Sequence, residues 1–162
     1  MARVLLVGYD PEGVDYSNPA YPLGMSVEKI SAGIALALKQ MTDRGWESDV
    51  CYIRPDKAAA QTVERHLASA NYDCVVIGAG VRLPPQSLAD FEAVINAIHR
   101  AAPAAAIAFN TRPEDTADAA GRWLPSSARA DNAMPHWRHR RCLMCPAQHI
   151  SVVKAEGMAA AI

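Results

Sequence analysis

The chain predicts an α/β fold, a three-layer αβα domain over residues 1–124 built on a four-stranded parallel sheet. Three observations carry this. Two apolar runs, Arg3-Val4-Leu5-Leu6-Val7-Gly8 and Cys74-Val75-Val76-Ile77-Gly78, read as strands covered on both faces that end in glycine. Longer segments between such runs carry apolar residues three or four apart, the spacing of a helix with one buried stripe. The two kinds alternate strictly, which implies parallel strands joined by right-handed crossovers.

The first strand is expected at residues 3–8. A long loop rich in Pro, Gly, Asp and Tyr follows, and Ser26 then caps a helix that runs to residue 44. Its stripe is Val27, Ile30, Ile34, Leu38 and Met41, and Gly45 ends it. The second strand is expected at 49–53 and is stopped by Arg54-Pro55-Asp56. A helix over 58–70 turns Val63 and Leu67 inward, and the third strand occupies 73–77. Pro84-Pro85 introduces a helix over 87–101, with Ser87 and Asp90 spaced as a capping pair and Leu88, Phe91, Val94, Ile95 and Ile98 as its stripe. The fourth strand is expected at 105–109, and the last helix at 113–123 starts favourably on Pro113. For a unit of this length the expected strand order is 2-1-3-4, the flavodoxin-like arrangement.

Half of the 162 residues are apolar, enough for one domain with a real core. No apolar run approaches the roughly 20 residues that span a membrane. Asp10 and Glu12 follow the first apolar run at once, which reads as a strand and not a signal peptide. Residues 1–124 carry a formal charge of −4 and residues 125–162 one of +3. A weakly acidic body is no nucleic-acid footprint, so no nucleic acid and no membrane is expected as partner. Cys51 and Cys74 fall in strands on opposite sides of the first. Two strand spacings, roughly 9–10 Å, keep them too far apart for a disulfide. Reduced, buried thiols suit a cytoplasmic setting.

Past Leu124 the character changes. Pro125-Ser126-Ser127 reads as a linker, and residues 125–148 show no periodicity. The tail is expected to be poorly ordered or loosely docked, with residues 149–153 as a possible fifth edge strand. His136, His139, Cys142, Cys145 and His149 are zinc-ligand types. They crowd into one segment without an intervening finger, and no metal is assigned.

Ligands of an open parallel sheet bind beyond the carboxyl ends of the strands, where strand order reverses. In order 2-1-3-4 that crevice lies between strands 1 and 3, the two that end in glycine. The residues delivered there are Tyr9 and Asp10, then Asp15, Tyr16, Ser17 and Tyr21 of the loop; Gly78, Ala79, Gly80 and Arg82 after strand 3; and Asn110 and Thr111 after strand 4. The first helix adds its amino end and Ser26. Amides, a helix dipole and Arg82 suit a small anion, with Gly78, Gly80 and Arg82 binding it, Asp10 orienting the ligand, acting as a base or pairing with Arg82, and Asn110 and Thr111 adding hydrogen bonds. The loop exceeds the usual βα length of about 2–6 residues and reads as a lid. His66 and His99 are expected to face solvent. No nucleophile with its base stands out, and neither an enzymatic activity nor a cofactor is assigned.

Two known families share this fold, and the chain resembles each only in part. Response-regulator receivers carry acidic residues after strand 1, a phosphoacceptor Asp after strand 3 and Thr or Ser after strand 4. Asp10 and Thr111 resemble that pattern, but Gly78-Ala79-Gly80 stands where the acceptor would be. Flavodoxins hold FMN phosphate in a Thr/Ser- and Gly-rich loop after strand 1. Here that position reads Tyr9-Asp10-Pro11-Glu12-Gly13, whose charge repels phosphate. Gly78-Ala79-Gly80 begins like a dinucleotide fingerprint, but Leu83 replaces its third glycine. Gly8-Tyr9-Asp10-Pro11 with Val14-Asp15, the run from Gly24 to Ile30, Gly78 to Arg82, and Phe109-Asn110-Thr111 resemble a group of short uncharacterised bacterial proteins. That resemblance covers residues 1–124 and implies the fold without an activity. The first functional expectation is a protein binding a small anionic ligand. The alternative is a non-catalytic interaction module, a degenerate receiver-like domain that could assemble as a homo-oligomer.

Overall fold

The structure, a computed structural model, describes residues 1–19, 21 and 23–124. The expected linker, tail and fifth strand lie outside the described residues. Four parallel strands, β1 (Arg3–Tyr9), β2 (Glu47–Ile53), β3 (Cys74–Ile77) and β4 (Ala106–Phe109), form one sheet in the order β2-β1-β3-β4. Among the described residues five helices accompany it: α1 (Val27–Asp43), α2 (Ala59–Leu67), α3 (Ala79–Arg82), α4 (Leu88–Ala101) and α5 (Thr116–Gly121). This is the three-layer, flavodoxin-like arrangement.

The pleat of the central strands divides the core in two. Leu5, Val7, Cys51, Ile53, Val75 and Ile77 face α2 and α4, where Val63, Leu67, Val94 and Ile98 meet them. Val4, Leu6, Cys74, Val76 and Ala108 face α1 and α5, against Ile34, Ala37, Met41 and the alanines of α5. Every side chain of β3 is fully buried. Each of Val75, Val76 and Ile77 contributes about 1.5–3 kcal/mol of burial free energy. Cys51 and Cys74 are free thiols, one in each half of the core, and burial pushes both up to about 11. No helix among the described residues is long and apolar enough to cross a membrane.

Ser26 caps α1 as expected, its hydroxyl accepting from the Lys29 amide at 3.4 Å. At the other end the chain turns through Gly45, whose φ of 74° only glycine adopts without strain. Arg44 then donates to the Ala117 carbonyl and Asp118, and stacks over Trp46, tying α1 to α5. At the amino edge of the sheet Asp49 accepts from Arg3 and from the Tyr72 hydroxyl, both at 2.9 Å.

Several expectations need correction. Ser87 and Asp90 do not form a capping pair. Pro85–Ser87 is itself a 3₁₀ turn, Ser87 has φ −88° and ψ 1° and not the extended backbone of a cap, and Asp90 accepts instead from the Tyr9 hydroxyl at 3.0 Å. Leu88 is not in the buried stripe: it opens α4 and is 60 % exposed, and the inward run begins one turn later at Phe91. The segment after β3 is helical, because Gly78 leads straight into α3 and Val81 is fully buried. The last helix is split into a 3₁₀ turn, Pro113–Asp115, and α5. His66 is half-buried, its ring 6.1 Å from that of Tyr72, while His99 is exposed.

Gly33 of α1 lies against the turn after β4. A Cβ there would stand 2.9 Å from Pro113 Cβ and 3.1 Å from the Glu114 carboxyl group. Alanine is favoured over glycine within a helix by about 1 kcal/mol, but forced overpacking costs about 1–3 kcal/mol. Gly33→Ala should therefore lose about 1 kcal/mol in urea denaturation. A stabilised variant would show that the Pro113 turn yields. In a chain whose Cys142 and Cys145 are replaced by serine, Cys51 and Cys74 should react with an aromatic disulfide reagent at about pH 8 only as fast as the protein unfolds. Prompt reaction of the folded chain would contradict the burial.

Candidate functional site

Beyond the carboxyl ends of β1 and β3 the structure opens into a cleft of about 700 Å³, its mouth included. Pairing places it there. Val7 lies beside Ile77 and Gly8 beside Tyr52, so the ends of three strands are level. The Gly78 amide donates to the Val7 carbonyl at 2.8 Å. A Cβ on Gly78 would come within 3.2 Å of that carbonyl oxygen, so a larger residue there would push the two strand ends apart by a few tenths of an ångström. Gly8 is different: a Cβ there would meet nothing within 4 Å. Its missing side chain leaves open space over the strand. Gly80 leaves the same openness at the start of α3.

The walls are mainly apolar. Leu6 and Val50 come from the sheet, Ile30 and Ile34 from α1, and Val14, Tyr16, Tyr21 and Met25 from the long loop. Tyr52 closes the side of edge strand β2 and is 46 % exposed. The polar end is Thr111-Arg112, directly after β4, and Arg112 is the one charged side chain among the described residues lining the cleft.

The loop is held by its own hydrogen bonds. Asp10 caps the 3₁₀ turn Pro11–Gly13 by accepting from the Glu12 amide at 3.2 Å. Tyr16 donates to the Pro11 carbonyl at 3.0 Å, Asp15 accepts from Ser17, and Lys29 reaches back to the Gly24 carbonyl. The rings of Tyr16 and Tyr21 meet at 6.0 Å and 55°. Burial raises the pKa of both phenols.

Of the eight residues expected in the site, Tyr9, Gly78, Gly80 and Thr111 line the cleft; Asp10, Ser26, Arg82 and Asn110 do not. The structure gives those four other partners. Asp10 and Ser26 cap a turn and a helix. Arg82 does not pair with Asp10: its guanidinium lies 5.6 Å over the Phe109 ring and donates to the Asn110 carbonyl at 3.0 Å. Formation of α3 carries it there. Asn110 is 3 % exposed, accepting from the Ala79 amide and donating to Thr116 Oγ1, both at 2.8 Å. Two of the amides expected to face an anion, those of Gly78 and Ala79, are thus engaged within the protein. Tyr9 is tied to Asp90, and burial pushes its phenol up to about 12, the Asp90 carboxylate adding to the shift.

Sequence reasoning missed Val50, Tyr52, Ile30, Ile34 and Arg112 as cleft residues. Two signals were available. Val50 and Tyr52 alternate on one face of an edge strand, and Arg112 immediately follows Thr111. Among the described residues no group of three or more His, Cys, Asp or Glu could hold a metal ion. The His136–His149 cluster lies outside the described residues.

No protein-family model, curated protein or solved structure matches the chain. The site therefore has to be read from its own chemistry.

Thr111 is positioned by Asp115, which accepts from its amide at 3.0 Å and from its hydroxyl. Burial opposes the charge on Asp115, but these bonds outweigh it and hold the carboxyl below its usual range. A depressed folded-state pKa gives stability that is present above the ordinary carboxylate range and lost as pH falls through the folded value. Asp115→Asn should be less stable than the parent at neutral pH by about 1 kcal/mol, with the gap closing as pH falls below the ordinary carboxylate range. Urea denaturation across that range checks it, and a gap independent of pH would refute the account.

Proposed function

We propose that the protein binds a small organic anion at the carboxyl edge of its sheet. The observation that carries this reading is the open cleft over Gly8, at the crevice where strand order reverses. Its apolar walls suit the body of a ligand. Arg112 lies at its polar end and suits a carboxylate or phosphate, while Thr111 beside it is committed to Asp115 through both its amide and its hydroxyl. This reading keeps the expected anion but moves its partner from Arg82 to Arg112. The described lining residues include no histidine, cysteine or carboxylate, so the reading is of binding, with no reaction assigned.

A second reading, a non-catalytic interaction module, is favoured by one observation. Leu83 and Leu88 flank the turn between α3 and α4, and both stand about three-fifths exposed.

A thermal-shift screen of organic acids, sugar phosphates and nucleotides separates the two. The first reading expects at least one anion to raise the melting temperature. Gly8→Val, whose Cβ would meet no protein atom within 4 Å and whose methyls would project into the cleft, should abolish the shift. Arg112→Ala should weaken binding roughly tenfold, the loss of one charge-assisted hydrogen bond. If no anion shifts the melting temperature, and sedimentation shows a dimer that Leu83→Ser with Leu88→Ser dissociates, the second reading stands and the first falls.

A further inference from the structure

The walls of the cleft narrow the ligand class further, given the binding reading above. Tyr16 and Tyr21 meet at 6.0 Å with a 55° tilt and form an aromatic corner on the loop side. Tyr52 lines the β2 side, paired in register with Gly8, and nearly half of it is exposed. At Gly8 and Gly80 no side chain rises, and a Cβ at either would enter empty space. A floor of bare strand backbone between aromatic walls accepts a flat body more readily than a puckered one. Aromatic rings gain from offset or edge-to-face contact at centroid distances of about 4.5–7 Å, beyond the area they bury. The only charge among the described lining residues, Arg112, stands after β4 and so marks one end of the ligand.

From this we infer that the ligand is a planar aromatic anion, lying over Gly8 between Tyr52 and the Tyr16–Tyr21 corner with its negative group toward Arg112. Of the neighbouring carboxylates, Asp90 is engaged by Tyr9 and Asp10 by the Glu12 amide. Asp115 is held by Thr111 and lies close enough to Arg112 for their charges to interact, so the ligand's anion shares that guanidinium with it.

The experiment is calorimetric titration of the full chain with two anions of one skeleton, 2-naphthoate and its fully saturated decahydro counterpart. Both carry the same carboxylate, so their difference reads the ring alone. The aromatic acid should bind about tenfold more tightly, as expected for two added aromatic contacts. Tyr52→Leu, which keeps an apolar side chain and removes the π face, should weaken 2-naphthoate severalfold and leave the saturated acid unchanged. Gly8→Val should abolish binding of both. Equal affinity for the two acids, or an equal loss of both in Tyr52→Leu, would overturn the aromatic assignment while leaving an anion site in place. Binding of both that survives Gly8→Val unchanged would overturn the location, and with it the binding reading. Circular dichroism of each variant shows whether the fold is kept.

Discussion

The closeness of β1 and β3 at their carboxyl ends governs the rest of this edge. The Gly78 amide reaches the Val7 carbonyl, and the two backbones lie so near that no Cβ fits on Gly78 without a shift. Because the pair is the centre of the sheet, fully buried side chains above and below hold that spacing. One turn of α3 can then start at Ala79, directly above the strands, and the space over Gly8 stays empty. The same local chemistry, a glycine after an apolar run, thus does two different things. At Gly78 it permits contact, and at Gly8 it preserves a void.

Asn110 holds the other side of this edge. A buried amide side chain is expensive unless its donor and acceptor are both met. Here one end takes the Ala79 amide, the other gives to Thr116, and the backbone carbonyl takes Arg82. Three elements that do not touch in sequence, α3, β4 and the start of α5, are joined through one residue. Phe109 beside it receives the Arg82 guanidinium on its face and makes an edge-to-face contact with Phe91. The polar groups that look most like ligand binders in the sequence are therefore those that build the edge. The cleft is left to tyrosines, aliphatic side chains and Arg112.

Fold and site differ in how much of them could be read beforehand. Periodicity specified the strands, the order of elements and the two-faced core, because burying β-branched runs under amphipathic helices leaves few arrangements. The location of the cleft followed from strand order. Its chemistry did not, for a physical reason visible in Arg82 and Asp10. Position after a strand end says that a residue is near the crevice, but one helical turn or one capped 3₁₀ turn decides where its side chain points. Four residues, Ala79–Arg82, were too short to show a periodicity. Tyr52 escaped notice because β2 is an edge strand with apolar residues on both faces, Cys51 and Ile53 on one and Val50 on the other, so its pattern gives no sign which partner the aromatic ring will meet. Ser87 and Asp90 had the spacing of a cap, but the two prolines before them imposed a tighter turn.

The two sides of the cleft differ in give. On one side Gly33 and Pro113 seat α1 against the β4 turn with no slack. On the other, the described residues of the loop after β1 are tied to one another by hydrogen bonds, and Val14 rests on the core. Evolutionary drift is therefore cheap on the second side and costly on the first. A lineage of such chains could exchange Tyr16, Tyr21 and Met25 for other residues, and so change what it recognises, without disturbing the scaffold beneath.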